Sequence, residues 1–222
     1  MERDQLALKT LVVLVALLHG AGAAAAPRQV EVLCRDAWGA RKVKPGLVKH
    51  TIKRLTVHHS GVAIKGNRRS PRRMRIAQIY HQKAKGWPDI AYHHVIDLEG
   101  NVYQARDPRY RGDTGTTYDT NSHYLVCLLG NYNEQRPNEE QLAALTGLLA
   151  WASRKYKVSP GTITGHRDHA ATSCPGKNVH RRIKDGSLRR RVEAAVKAGP
   201  WRLKSVCGAT ARARVAAIKK GK

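Results

Sequence analysis

Six consecutive residues, Tyr124-Leu125-Val126-Cys127-Leu128-Leu129, constrain this chain more than any other stretch of it. A strand wetted on one face alternates apolar and polar side chains, whereas an unbroken apolar run has to be covered on both faces. The run therefore reads as a central strand, and a covering helix follows it. Asn138 can cap that helix, Gln141 supplies the capping-box partner, and Leu142, Leu145, Leu148, Leu149, Ala152 and Tyr156 fall on one side of it. Ser159-Pro160-Gly161 closes it.

The same periodicities place the other elements. Arg54 to His59 is rich in β-branched residues and reads as a strand that empties into a loop with Lys65, Arg68, Arg69, Arg72, Arg73 and Arg75. A helix follows, with Met74, Ala77, Tyr80 and Ala84 on its inward face and Gly86 just past its end. Ala91 to Asp97 and Asn101 to Ala105 form a hairpin turned at Glu99-Gly100. A short strand at Thr162–Thr164, a loop over 165–177 and a last helix over Ser187–Ala198 complete the pattern. Strands and helices intermix over 222 residues, so the expected fold class is α/β: a single domain with a central mixed β-sheet flanked by helices. Residues 201–222 thin out into a basic C-terminal tail.

Residues 1–26 read as a signal peptide. Met1 to Lys9 is polar, Thr10 to Leu18 is apolar but too short to span a bilayer, and Ala21 to Ala26 offers small-residue cleavage sites. Glu2, Asp4 and Pro27 depart from the ideal signal, and an uncleaved anchor is the other reading. The formal charge of +25 makes the chain a partner for polyanions. For an exported protein these are anionic cell-wall polymers or lipid head groups rather than nucleic acid; the bland reading is that the charge serves solubility.

Of eleven histidines, several cluster at strand ends: His58 and His59 end the first strand, His93 and His94 lie in the second, and His166 and His169 flank Arg167 and Asp168 in the loop that reaches Cys174. Imidazole and thiolate are the ligands zinc prefers, and a catalytic zinc takes three protein ligands and keeps one position for water. These ligands would have to converge from distant segments, so spacing alone does not choose among them.

Four segments, in order, resemble the zinc-dependent N-acetylmuramoyl-L-alanine amidases of the second type, the superfamily that includes the peptidoglycan recognition proteins. They are Cys34-Arg-Asp-Ala-Trp-Gly-Ala-Arg41, Leu55-Thr-Val-His-His-Ser60, Gly86-Trp-Pro-Asp-Ile-Ala-Tyr-His-His-Val-Ile-Asp97, and Gly165-His-Arg-Asp168 through Thr172-Ser-Cys-Pro-Gly176. The resemblance spans most of residues 27–200, read as the catalytic domain with a zinc-containing cleft. It implies His58, His166 and Cys174 as Zn2+ ligands, Tyr92 as the hydroxyl facing the reacting oxygen, and Thr172 as a residue that orients substrate or water. His59 and His169 are the rival histidines.

The implied function is zinc-dependent hydrolysis of the amide between N-acetylmuramic acid and L-alanine in bacterial peptidoglycan, by a secreted, wall-associated monomer. A non-catalytic peptidoglycan-binding protein using the same cleft is the alternative, and a basic nucleic-acid or membrane-surface protein with incidental histidines is a third class. The chain departs from its relatives in three places. A glutamate that cytosolic relatives carry near Cys127 is missing, which leaves His93, His94 and the zinc-bound water itself as candidate proton shuttles. Arg111-Gly-Asp-Thr-Gly115 stands where many relatives have a histidine. The paired cysteines that animal recognition proteins carry after the His doublet are absent, which points to a bacterial protein. With Cys174 assigned and Cys127 in an apolar run, Cys34 and Cys207 are left as a plausible terminal disulfide.

Overall fold

A computed structural model describes residues 28–221; the predicted signal peptide lies outside them. Seven strands form one sheet: β1 (Arg28–Leu33), β2 (Arg54–His59), β3 (His94–Ile96), β4 (Val102–Gln104), β5 (His123–Leu128), β6 (Ile163–Gly165) and β7 (Trp201–Val206), in the order β6-β2-β5-β3-β4-β1-β7. Every pairing is parallel except the β3–β4 hairpin, so the sheet is mixed. Every residue of β5 is buried, as a strand covered on both faces requires.

Among the described residues five α-helices cover the sheet: α1 (Ser70–Lys83), α2 (Glu139–Tyr156), α3 (Lys177–Lys184), α4 (Ser187–Lys197) and α5 (Gly208–Lys220). One core joins Leu145, Leu148 and Leu149 of α2 and Leu188 and Val192 of α4 to Leu55, Val57, Val126 and Leu128 of the sheet. A second core, on the opposite face, joins Met74 of α1 and Ala211, Val215 and Ile218 of α5 to Val95, Tyr103 and Cys127. The Asn138 side chain accepts from the Gln141 amide and caps α2, but the Gln141 side chain does not return to Asn138. It bonds instead to the Tyr132 hydroxyl and the Leu129 carbonyl, and so ties the helix start to the end of β5.

Three expectations are corrected. Residues 201–220 are not a tail. β7 pairs with β1 over six residues, α5 buries three apolar side chains, and Cys34 is disulfide-bonded to Cys207. Basic residues at exposed positions mask this pattern in the sequence. The helix α3 lies between the predicted loop and α4. The inward face of α1 is largely polar: Gln78, His81 and Gln82 are buried with Met74, whereas Tyr80 is 52% exposed. Gln78 bonds Asp89 and the Arg41 backbone, and Gln82 bonds the carbonyls of Lys42 and Pro88, so this face is held by hydrogen bonds rather than by apolar packing.

His93 and His94 are buried, and burial pushes both imidazoles down to about 3. His93 accepts from the Leu125 amide and has its other nitrogen 2.9 Å from the Tyr110 carbonyl; His94 lies 2.6 Å from the Tyr124 hydroxyl. An unfolded histidine takes up a proton near pH 6.5 and these two, while folded, do not. Stability is therefore whole above that value and is lost as pH falls below it. At pH 5.5 the pair should destabilise the fold by about 2.5 kcal/mol relative to neutral pH. Denaturant unfolding at the two pH values measures this, and a Leu or Gln replacement of both residues should flatten the dependence.

Candidate metal centre

The strand register builds the site. β2 runs parallel to β6 with Val57 opposite Gly165, so the next residues, His58 and His166, leave neighbouring strands side by side at their carboxyl ends. Their rings lie 4.8 Å apart between centroids. Cys174 returns to the same spot on the loop after β6. The loop is held by backbone bonds from Arg167 to the Cys174 carbonyl and from Gly176 to the Ser173 carbonyl. Gly176 is obligatory there: its φ is +87°, and a Cβ would run into the Tyr132 backbone.

One ligand atom each from His58, His166 and Cys174 lies within 4.8 Å of the others, the one such group of metal-ligating side chains among the described residues. The Cys174 sulfur is 3.6 Å from His58 Nδ1 and accepts from the His59 amide at 3.4 Å. Burial pushes the thiol up to about 12, an arrangement in which a bound cation would replace the proton. Burial likewise lowers both imidazoles, to about 4 for His166, and keeps them in the neutral form that ligates.

The rival histidines are engaged elsewhere. His59 Nδ1 accepts from the Tyr132 amide, and His169 Nε2 lies 2.9 Å from the Thr164 hydroxyl. Tyr92 does approach the cluster, its ring 5.3 Å from that of His58, and burial holds its phenol well above the ordinary value, as a neutral donor. The Thr172 hydroxyl accepts from the Cys174 amide at 3.3 Å and so supports the turn that carries the sulfur. His93 and His94 have their bonds in the interior, which corrects their reading as proton shuttles. Cys127, opposite His58 in the β2–β5 ladder, is a buried thiol raised well above its usual value and does not replace a carboxylate.

The sequence reading missed the segment Thr114 to Tyr118. The Thr116 hydroxyl lies 2.7 Å and the Thr114 hydroxyl 3.2 Å from His166 Nε2, while the Tyr118 hydroxyl lies 3.3 Å from His58 Nε2. One short loop thus holds both imidazoles by Nε2, which for His58 is the nitrogen away from the thiol. Its base is fixed by Arg106, a fully buried guanidinium that donates to the carbonyls of Asp89, Ile90 and Arg111 and pairs with Asp113. The one signal available in the sequence was the density of hydroxyls in Thr114-Gly-Thr-Thr-Tyr118.

Fold and site together define a class: an α/β domain with two imidazoles and a thiol meeting at the carboxyl ends of parallel strands. The profile of the N-acetylmuramoyl-L-alanine amidase family matches residues 48–177. Peptidoglycan-recognition protein SC2 of Drosophila melanogaster is 32% identical over 166 residues, covering 71% of this chain and 87% of that protein. Peptidoglycan recognition protein 1 of Bos taurus is 30% identical over 184 residues, covering 81% and 95%. Among solved structures, a Tyr-to-Phe mutant of Drosophila PGRP-LB in complex with tracheal cytotoxin superposes with a TM-score of 0.62 at 26% identity, over 69% of this chain and 92% of that one. The chain belongs to the type 2 N-acetylmuramoyl-L-alanine amidase and peptidoglycan recognition protein superfamily. Both sequence relatives named here are animal proteins and lend no support to the bacterial reading of the absent cysteine pair.

Proposed function

We propose that this protein is a zinc-dependent N-acetylmuramoyl-L-alanine amidase, exported to act on bacterial peptidoglycan. The observation that carries the reading is the buried His58–His166–Cys174 cluster, in a chain that retains the thiol. The donor set fits zinc: two neutral nitrogens and one sulfur, with no carboxylate among them and a fourth position for water or substrate. When bound, zinc supplies Lewis acidity, activating water at neutral pH and polarising the amide carbonyl. Tyr92, a phenol that stays protonated, donates to the oxygen on which charge develops. Thr172 keeps the sulfur in place through the Cys174 amide. The disulfide accords with an oxidising compartment, and among the described residues no helix is long and apolar enough to cross a membrane.

The test incubates the protein with purified peptidoglycan, with and without chelator, and measures new L-alanine amino ends. Release that stops with chelator and returns with zinc is the expected result. Binding of the wall with no new amino ends would show a receptor instead.

The Thr114–Tyr118 grip gives a second prediction. Outer-shell partners set the tautomer and aim of ligating histidines, and losing one commonly weakens metal binding about 10- to 100-fold. Thr116→Val, which keeps the shape and removes the hydroxyl, should weaken zinc by that factor in competition with a fluorescent chelator, and Thr116→Ser should restore it. Equal affinity in all three proteins would leave the grip without a role in metal binding.

A further inference from the structure

The positive charge is not spread evenly, and its distribution points to a second binding surface on the α1–α5 face of the sheet. Three hollows run into one another there. The first, about 450 Å³, is lined by Lys65, Arg68, Arg69 and Arg73, with Glu99 its one carboxylate. Arg68 and Arg69 also line the second, about 320 Å³, which adds Arg72, Arg75 and Lys219. Arg75 in turn borders the third, about 600 Å³, with Arg41, Lys42 and Lys44. Ten cations therefore face one carboxylate along a continuous band contributed by α1, the loop before it, the segment after β1 and the end of α5.

None of these ten makes an ion pair among the described residues. Elsewhere on the surface arginines and lysines do find carboxylates: Arg191 with Glu139, Arg189 with Glu193, Arg212 with Asp36, and Lys204 and Arg214 both with Glu31. Gathering like charges without counter-charges works against the folded state, and a bound polyanion removes that repulsion. Glu99, which accepts from the Asn67 side-chain amide, carries a single charge against the ten.

We infer that this band binds a linear phosphodiester polymer of the cell wall, separately from the His58–His166–Cys174 cluster at the carboxyl ends of β2 and β6. The chemistry selects the ligand. Guanidinium groups fork onto phosphate oxygens, and a run of hollows suits an extended chain with phosphate at each repeat. A single-stranded nucleic acid would want aromatic platforms, but the one aromatic lining the band, Trp38, is 4% exposed. A membrane surface would want apolar side chains between the charges, but of the exposed large hydrophobics Val43, Val48, Val62, Ile76 and Tyr80, Val43 alone lines one of the three hollows.

The experiment measures binding of the full mature chain to linear poly(glycerol phosphate) over a series of salt concentrations. Two variants are compared, each lacking four charges and each checked for an unchanged circular dichroism spectrum and melting temperature. One carries Arg68→Gln, Arg69→Gln, Arg72→Gln and Arg73→Gln. The other carries Arg181→Gln, Lys184→Gln, Arg189→Gln and Arg190→Gln, on α3 and α4 across the sheet. The first should lose affinity about tenfold or more and show a shallower salt dependence, and the second should bind nearly as the parent does. Equal losses would show that net charge alone drives binding, and no loss in the first would show that the band is not the site; either overturns the inference. Duplex DNA or vesicles of anionic lipid that bind the band more tightly than the polymer would also overturn it. Binding here is independent of zinc, so a protein without amidase activity leaves this result standing.

Discussion

Replacing Cys174 by Ser is expected to reduce release of L-alanine amino ends from peptidoglycan to the background seen with chelator, while the fold survives. The hydroxyl is a much poorer zinc ligand than a thiolate, so the cluster is left with two imidazoles, fewer than the three ligands a catalytic zinc takes. The loop does not depend on the sulfur for its shape. The Arg167–Cys174 and Gly176–Ser173 backbone bonds and the Thr172 hydroxyl on the Cys174 amide all persist with serine. Two measurements separate the effects: zinc content after dialysis, which should fall from about one equivalent to none, and the melting temperature of the zinc-free protein, which should match that of the zinc-free parent. Native-rate cleavage by the variant would remove Cys174 from the ligand set and the amidase reading with it.

The second large effect is on stability. The Cys34–Cys207 bridge closes a loop with a sequence separation of 173 residues, and in the chain-entropy description a loop of that length restrains the unfolded chain by about 5 kcal/mol. Cys34→Ser with Cys207→Ser should therefore lower the melting temperature by roughly 10–20 °C for a domain of this size. The bridge is not the only tie, because β7 still pairs with β1 and α5 still buries Ala211, Val215 and Ile218. A fall smaller than about 3 °C would mean that this ladder and helix hold the carboxyl end by themselves. The metal cluster lies on β2, β6 and their loops, so zinc affinity of the folded double variant at low temperature should equal that of the parent.

Local pattern determined much of this protein from the sequence alone. The apolar run of β5, the Asn138 cap and apolar face of α2, the β3–β4 hairpin and the α/β class all follow from periodicities and caps that act within a few residues. So did the thiol and the histidines as a zinc-type ligand pool, because ligand preference is a property of side-chain chemistry.

What needed the tertiary structure was everything that depends on which distant segments lie side by side. Neighbouring residues on a strand point to opposite faces, so strand alternation could not choose His58 over His59; the family resemblance implied His58, and the β2–β6 register is what sets it beside His166. The grip of Thr114, Thr116 and Tyr118 on the two imidazoles comes from a loop some 50 to 60 residues away from each histidine in the chain, and no local pattern announces it. β7 and α5 escaped notice because their stability comes from β1 and from a disulfide 173 residues back, not from the weak and highly charged periodicity of their own sequence. The inward face of α1 was misplaced for a related reason: it is buried by hydrogen bonds to Asp89 and to the backbone near Arg41, and a scale that tracks only apolar side chains turns such a helix the wrong way.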